Sequence, residues 1–195
     1  MKITVHILIS PFGETSERLE QGFEIRKQEF AKKWGFHGYE NYPTKHDQIP
    51  GTRFLVFSQL NSRGEDVILG TRRITPGNRS HYGALQPGKL AFEQKYKIDH
   101  NALPAKLRAR LAGKTHFDIR DILPGAIRSP KLNYAEIGGF AIDTHLAHQL
   151  FETKSAYLAA RNAIYEKTIE VAKDMGVDFV ISVAQEKTCS SKRHG

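Results

Sequence analysis

The segment from Tyr134 to Ala184 constrains the fold of this chain more than any other. Tyr134–Asp143 reads as a strand, with Tyr134, Glu136, Gly138 and Phe140 on one face and Ala135, Ile137, Gly139 and Ala141 on the other until an irregularity intervenes. Leu146–Met175 reads as the longest helix. Its inner stripe is Leu150, Tyr157, Leu158, Arg161, Ile164, Tyr165, Thr168, Ile169 and Ala172, and Gly176 terminates it. Val177–Ala184 then reads as a buried strand. Strand, helix and strand joined by short connections imply a right-handed crossover and parallel neighbours in one sheet.

Upstream, Met1–Ser10 alternates as a strand, and a helix is expected from about Glu14 to Trp34. Leu19, Phe23, Arg26, Phe30 and Trp34 fall on one stripe of that helix, at steps of four, three, four and four. Arg26 lies inside the apolar stripe, so it requires a buried partner, in a structural salt bridge or on a ligand; an unpaired buried charge is strongly unfavourable. Residues 35–51 have no clean period and carry aromatics, two histidines, two prolines and Asp47. Loops of that length inside compact domains are more often functional than accidental, which fits a cover over a substrate. Thr52–Gln59 and Asp66–Thr75 read as hairpin strands around the turn Asn61–Glu65, the second of them carrying Arg72 and Arg73. Residues 77–131 form a variable polar insert, with short helical pieces expected near Leu90–Tyr96 and Leu103–Ala112 and a small helix or turn at Asp118–Pro124. The layout is an α/β fold, an α+β sandwich on a mixed sheet, read as a single domain over residues 1–195.

The net charge of +8 points either to an acidic partner or to a merely solubilising surface, because the basic residues are scattered rather than blocked. No apolar run approaches the ~20 residues needed to cross a bilayer, so no transmembrane segment is expected. The opening residues lack the apolar core and small-residue cleavage site of a signal peptide. The single cysteine, Cys189, excludes an internal disulfide and a multi-cysteine metal site, and a cytoplasmic location is expected. The nine histidines are dispersed without ligand spacing, so no metal site is expected. Gly138-Gly139 lacks the Lys and Ser/Thr of a phosphate loop and the spacing of a dinucleotide fingerprint. No basic stripe with interleaved aromatics supports nucleic-acid binding.

Two features of the central strand do not suit a purely structural role. Glu136 places a carboxylate in apolar company, where an unpaired charge is costly. Beside it, Gly138 and Gly139 forfeit side-chain packing, which in a strand marks a bulge or a close approach to the backbone. A carboxylate next to bare backbone N–H groups suits an enzyme that deprotonates an amine and holds a reacting carbonyl. A structural bulge with a salt-bridged glutamate is the other reading.

Taken in order, four groups of residues resemble the signature of acyl-homoserine-lactone (LuxI-type) autoinducer synthases, a family with the GNAT acyltransferase fold. They are Arg26-x-x-x-Phe30 followed by Trp34, then Asp47, then Gly70-Thr-Arg-Arg73 with Pro76, then Glu136-Ile-Gly-Gly-Phe140. The resemblance spans roughly residues 19–184. Where that family carries a pair of loop aspartates, the first position here is Thr44, and where it carries an arginine before the strand phenylalanine, this chain has Gly139. Trp34 also sits nearer Phe30, and the insert between Arg73 and Glu136 is long. With these departures the chain is more similar to the sister group of long-chain N-acyl amino acid synthases, of the N-acyltyrosine synthase kind.

The resemblance implies a GNAT-type mixed sheet with its central strand splayed or bulged near Gly138. It also implies a closing helix and hairpin after Val177–Ala184, which the tail Thr188–Gly195 either cuts short or replaces. The implied activity is N-acyl transfer with no bound cofactor. A fatty acyl group carried on the phosphopantetheine of acyl carrier protein passes to the α-amino group of an amino acid, with an aromatic one, tyrosine, as the first expectation. In that scheme Glu136 is the base, directly or through water, in the apolar surroundings of Phe140, and the main chain around Gly138 and Gly139 holds the thioester. Arg26 and Arg73 fix the acceptor loop through Asp47 or bind the acceptor carboxylate. Phe30, Trp34 and Phe140, with Phe36, Tyr39 and Tyr42, shape the substrate pocket. Lys154 and Arg161 meet the acidic carrier protein. The alternatives are a homoserine-lactone synthase, an acetyl-coenzyme-A-dependent relative and a basic nucleic-acid-binding module. The second is disfavoured because Asp143–Gln149 lacks a glycine loop for pyrophosphate.

Overall fold

The computed structural model describes residues 3–9, 17–33, 43, 47–77, 96–101, 103–117, 121 and 133–182. The strands are β1 (Thr4–Ile9), β2 (Arg53–Leu60), β3 (Asp66–Pro76), β4 (Tyr96–Lys97), β5 (His116–Phe117), β6 (Tyr134–Ile142) and β7 (Phe179–Ser182). The helices are α1 (Glu17–Arg26), α2 (Ala105–Arg110), α3 (Thr144–Leu150) and α4 (Lys154–Asp174), and a π-helical stretch, Lys27–Lys33, continues α1. Five strands make one sheet in the order β1-β2-β3-β6-β7, and β4 pairs with β5 separately in the insert. β1, β2, β3 and β6 are successively antiparallel, while β6 and β7 run parallel, as a strand–helix–strand connection requires. The class is mixed α/β.

The sheet buries side chains on both faces. Phe54 and Val56 of β2 pack with Leu19, Phe23 and Ile25 of α1, while Leu55 and Phe57 pack with Phe151 and with Ile164 and Val171 of α4. That is why the middle of β2, from Phe54 to Phe57, reads as a continuous apolar run. Each such side chain removed from water stabilises the fold by roughly 1.5–3 kcal/mol, so the hairpin is the anchor of both layers. No helix among the described residues is long and apolar enough to cross a membrane.

Two expectations about the long helix are corrected. It is broken into α3 and α4 at Phe151–Thr153, where Phe151 is buried and the Thr153 hydroxyl accepts from the Ala156 N–H at 3.1 Å to start a new helix. The buried side of α4 is Ile164, Thr168, Val171 and Ala172, whereas Tyr165 and Ile169 are 41% and 42% exposed. The packed stripe is thus rotated away from the two residues that sequence periodicity placed inside. In the insert, α2 falls within the expected helical piece Leu103–Ala112, but Tyr96 and Lys97 belong to a short strand. Trp34, the aromatics Phe36, Tyr39 and Tyr42, most of Asp118–Pro124, and the tail from 183 onward with Cys189 lie outside the described residues.

The central strand carries the irregularity that its glycines announce. β3 and β6 pair as Gly70↔Ile142 and Thr71↔Ala141, then as Arg73↔Gly138. One residue on β3, Arg72, therefore faces two on β6, Gly139 and Phe140, which is a β-bulge. The bulge resets the alternation of side chains. Glu136 and Gly138 stand beside Arg73, and Ala141 joins the α1-side core, while Phe140 packs against the α4-side core. Glu136 and Phe140, expected on one face, are on opposite faces.

Candidate functional site

On the α1 side of the sheet, four charged side chains form a buried chain. Arg26 Nη1 and Arg73 Nη1 both donate to Asp47 Oδ1, each at 3.0 Å, and Arg73 Nη2 lies 3.6 Å from Glu136 Oε1. Arg26 is 1% exposed and Asp47 fully buried, and Arg73 and Glu136 are nearly so. Two guanidiniums against two carboxylates offset each other's charge, which makes their burial tolerable; removing one partner would strand the rest.

Local structure explains how each member reaches this point. Arg26 is the last residue of α1 before its π-helical continuation, and its guanidinium lies 5.8 Å and 5.9 Å from the ring centroids of Phe23 and Phe54. The helix widens into its π-helical stretch immediately afterwards, a local device often found at functional sites. Asp47 opens the turn that leads into β2. Its position is fixed by buried Ile49, whose carbonyl accepts from the Thr52 N–H at 3.0 Å. Arg73 and Glu136 are held by the sheet, two register steps apart across the β3–β6 ladder.

The two glycines make room for this chain. Gly139 has φ +60°, and a Cβ there would lie 2.6 Å from Arg26 Nη2, so backbone conformation and space both exclude a side chain. A Cβ at Gly138 would lie 3.2 Å from Arg73 Nη2 and 3.7 Å from Glu136 Oε1. The bare strand therefore lets the Arg26 and Arg73 guanidiniums lie against the bulged main chain beside Glu136. In chemical terms the arrangement offers one carboxylate, oriented by a shared arginine, next to backbone donors.

The structure brings together Arg26, Asp47, Arg73, Glu136, Gly138 and Gly139. Phe30, half-buried, packs against the α1-side core nearby. Phe140 is not part of this group: its ring lies 6.2 Å from Phe57 and 5.7 Å from Tyr165, on the opposite face. It does not supply apolar surroundings to Glu136, which sits beside Arg73 instead. Lys154 is exposed at the start of α4, and Arg161 is half-buried with its Nε enclosed. Among the described residues, no group of three or more His, Cys, Asp or Glu side chains could hold a metal ion.

Sequence reasoning passed over Arg72. It is only 5% exposed, with its guanidinium 5.2 Å from the Phe140 ring centroid and 4.4 Å from that of Tyr165. Burial pushes its pKa below the ordinary arginine value, and Tyr165 acts in the opposite sense. A signal was available: consecutive residues of a strand face opposite sides, so Arg72 and Arg73 cannot both serve the same face. No protein-family model matches the chain, and neither a curated protein nor a solved structure matches it.

Proposed function

We propose that the chain is an N-acyltransferase on a GNAT-type fold, moving a long-chain fatty acyl group from acyl carrier protein to the α-amino group of an amino acid. The observation that carries this reading is the buried chain Arg26–Asp47–Arg73–Glu136, which ends beside two side-chain-free positions at a bulge. Glu136 takes a proton from the substrate ammonium, directly or through one water, and the freed amine attacks the thioester carbonyl carbon. A carbon–nitrogen bond forms and the carbon–sulfur bond breaks. The departing pantetheine thiolate takes the second proton from the nitrogen, and Glu136 returns its proton to solvent. Backbone N–H groups near Gly138 and Gly139 stabilise the carbonyl oxygen as charge develops on it.

Of the two roles expected for Arg26 and Arg73, fixing the loop through Asp47 is favoured over binding the acceptor carboxylate, because both arginines already donate to Asp47. A carrier-protein donor is favoured over free coenzyme A by the start of α3. There the Asp143 carboxylate accepts from the Leu146 N–H at 2.9 Å, so a pyrophosphate at that helix end would meet a negative charge. The net charge of +8 and the exposed Lys154 suit an acidic carrier, which would be docked in a cytoplasmic setting.

The test is product analysis. Purified protein given long-chain acyl carrier protein and a mixture of amino acids should release an N-acyl amino acid, with an aromatic acceptor as the first expectation. No amide from any amino acid, together with a lactone from S-adenosylmethionine, would assign the chain to the autoinducer synthases instead.

A further inference from the structure

We propose that Arg72, on the α4 face of the sheet beneath Phe140 and Tyr165, is the cationic floor of a binding subsite for a small-molecule oxyanion, either a carboxylate or a phosphate. The subsite is separate from the Glu136 group and does not depend on the acyl-transfer reading.

The argument begins with the donors of the guanidinium. Arg72 is about as buried as Arg73, and its Nε and Nη1 have no hydrogen-bond partner among the described residues. The rings of Phe140 and Tyr165 cover the guanidinium by cation–π contact. Tyr165 also offers Arg72 a side-chain hydrogen bond, but Nε and Nη1 are left without an acceptor among the described residues. Among the described residues, no carboxylate is ion-paired with Arg72, in contrast to Arg26 and Arg73 one layer away. Arg161 stands one helical turn before Tyr165, and its enclosed Nε has no partner among the described residues. A buried guanidinium with open in-plane donors and no paired carboxylate, beside aromatic rings, is the chemistry that recognises an oxyanion on an organic body.

Access is built into the same residues. Tyr165 is 41% exposed and Phe140 half-buried, so the rings over Arg72 form a rim rather than a sealed wall. Arg72 also stands opposite the bulge at Gly139–Phe140, the one place where the β3–β6 ladder is interrupted.

The experiment compares charged and neutral probes of the same shape by NMR titration. The pairs are 3-phenylpropanoate against 3-phenylpropanamide, and 4′-phosphopantetheine against pantetheine. The charged member of at least one pair should bind the wild-type protein about 10–100-fold more tightly, the range for a charge-assisted hydrogen bond. Arg72→Met should abolish that preference. A preference confined to the first pair identifies a carboxylate ligand, and one confined to the second a phosphate. Equal affinity within both pairs overturns the proposal, as does a preference that survives in Arg72→Met. If that variant does not fold, the Arg72 Nε–H resonance of the wild-type protein decides. It should move with the charged probe and not with the neutral one, and its failure to move overturns the assignment.

Discussion

On the α1 side of the sheet, Arg26 and Arg73 are buried against carboxylates; on the α4 side, Arg72, the neighbour of Arg73 in sequence, is buried against the rings of Phe140 and Tyr165. The same residue type on the same strand meets two different environments because adjacent strand residues point to opposite faces. The first environment is internally matched in charge, so its geometry is fixed before any substrate arrives. On the second, no carboxylate among the described residues pairs with the cation, and the proposed oxyanion would supply the missing charge. On the proposed reading, pre-organisation belongs to the face with Glu136, and recognition by charge to the face with Arg72.

Stability should separate the two faces first and most strongly. Asp47→Ala removes the carboxylate that two buried guanidiniums share and should cost about 3–5 kcal/mol in urea unfolding. Arg72→Met replaces an incompletely satisfied cation with an apolar chain of similar reach, and it should change stability by less than about 1 kcal/mol or raise it. Equal losses in the two variants would erase the distinction between the faces.

A second comparison tests whether the Arg26 guanidinium is held where it is seen. Gly139 and Gly64 both have positive φ, +60° and +79°, but only Gly139 has Arg26 within reach of a Cβ; nothing lies within 4 Å at Gly64. Gly64→Ala should cost only the conformational penalty, about 1–2 kcal/mol. Gly139→Ala should cost about 1–3 kcal/mol more, because the crowded Arg26 must move. Indistinguishable losses would mean that Arg26 yields freely.

The smallest effect lies at the start of β3, beside the hairpin turn, where charge is partly exposed. A hydrogen bond from Ser58, then Arg18 and His6, holds the Asp66 carboxyl below the ordinary aspartate pKa, against a smaller opposing contribution from burial. A lowered folded-state pKa contributes stability above the unfolded value of roughly 3.9 and loses it as pH falls through the folded value. Asp66→Asn should therefore destabilise by about a few tenths of a kcal/mol at neutral pH, as surface pairs do, and by nothing near pH 2. A constant difference across that range would show that Asp66 contributes by some route other than its charge.

The elements with strong periodicity were legible in the sequence. The β2–β3 hairpin, the parallel β6–β7 pair and the buried arginine of α1 all follow from apolar patterning alone. Asp47 read from its own surroundings was only a loop residue; its joint contact with Arg26 and Arg73, which the structure shows, was expected from the family resemblance and not from spacing. Phe140 was misplaced because a single bulge inverts every side chain beyond it, and two glycines announce a bulge without giving its register. The break between α3 and α4 was hidden because apolar spacing continues across it; only Thr153, a good N-cap, hinted at a new start. Arg72 escaped notice because it stands next to the residue that carries the family resemblance.

The central claim is that Glu136, on the matched face, moves the proton. Its most direct test is turnover of Glu136→Gln with long-chain acyl carrier protein and the accepted amino acid, alongside a thermal melt of the same preparation. The account predicts a fall of roughly 10²–10⁴-fold, the usual reach of general base catalysis, with the protein still folded. A folded Glu136→Gln protein at full activity would contradict it.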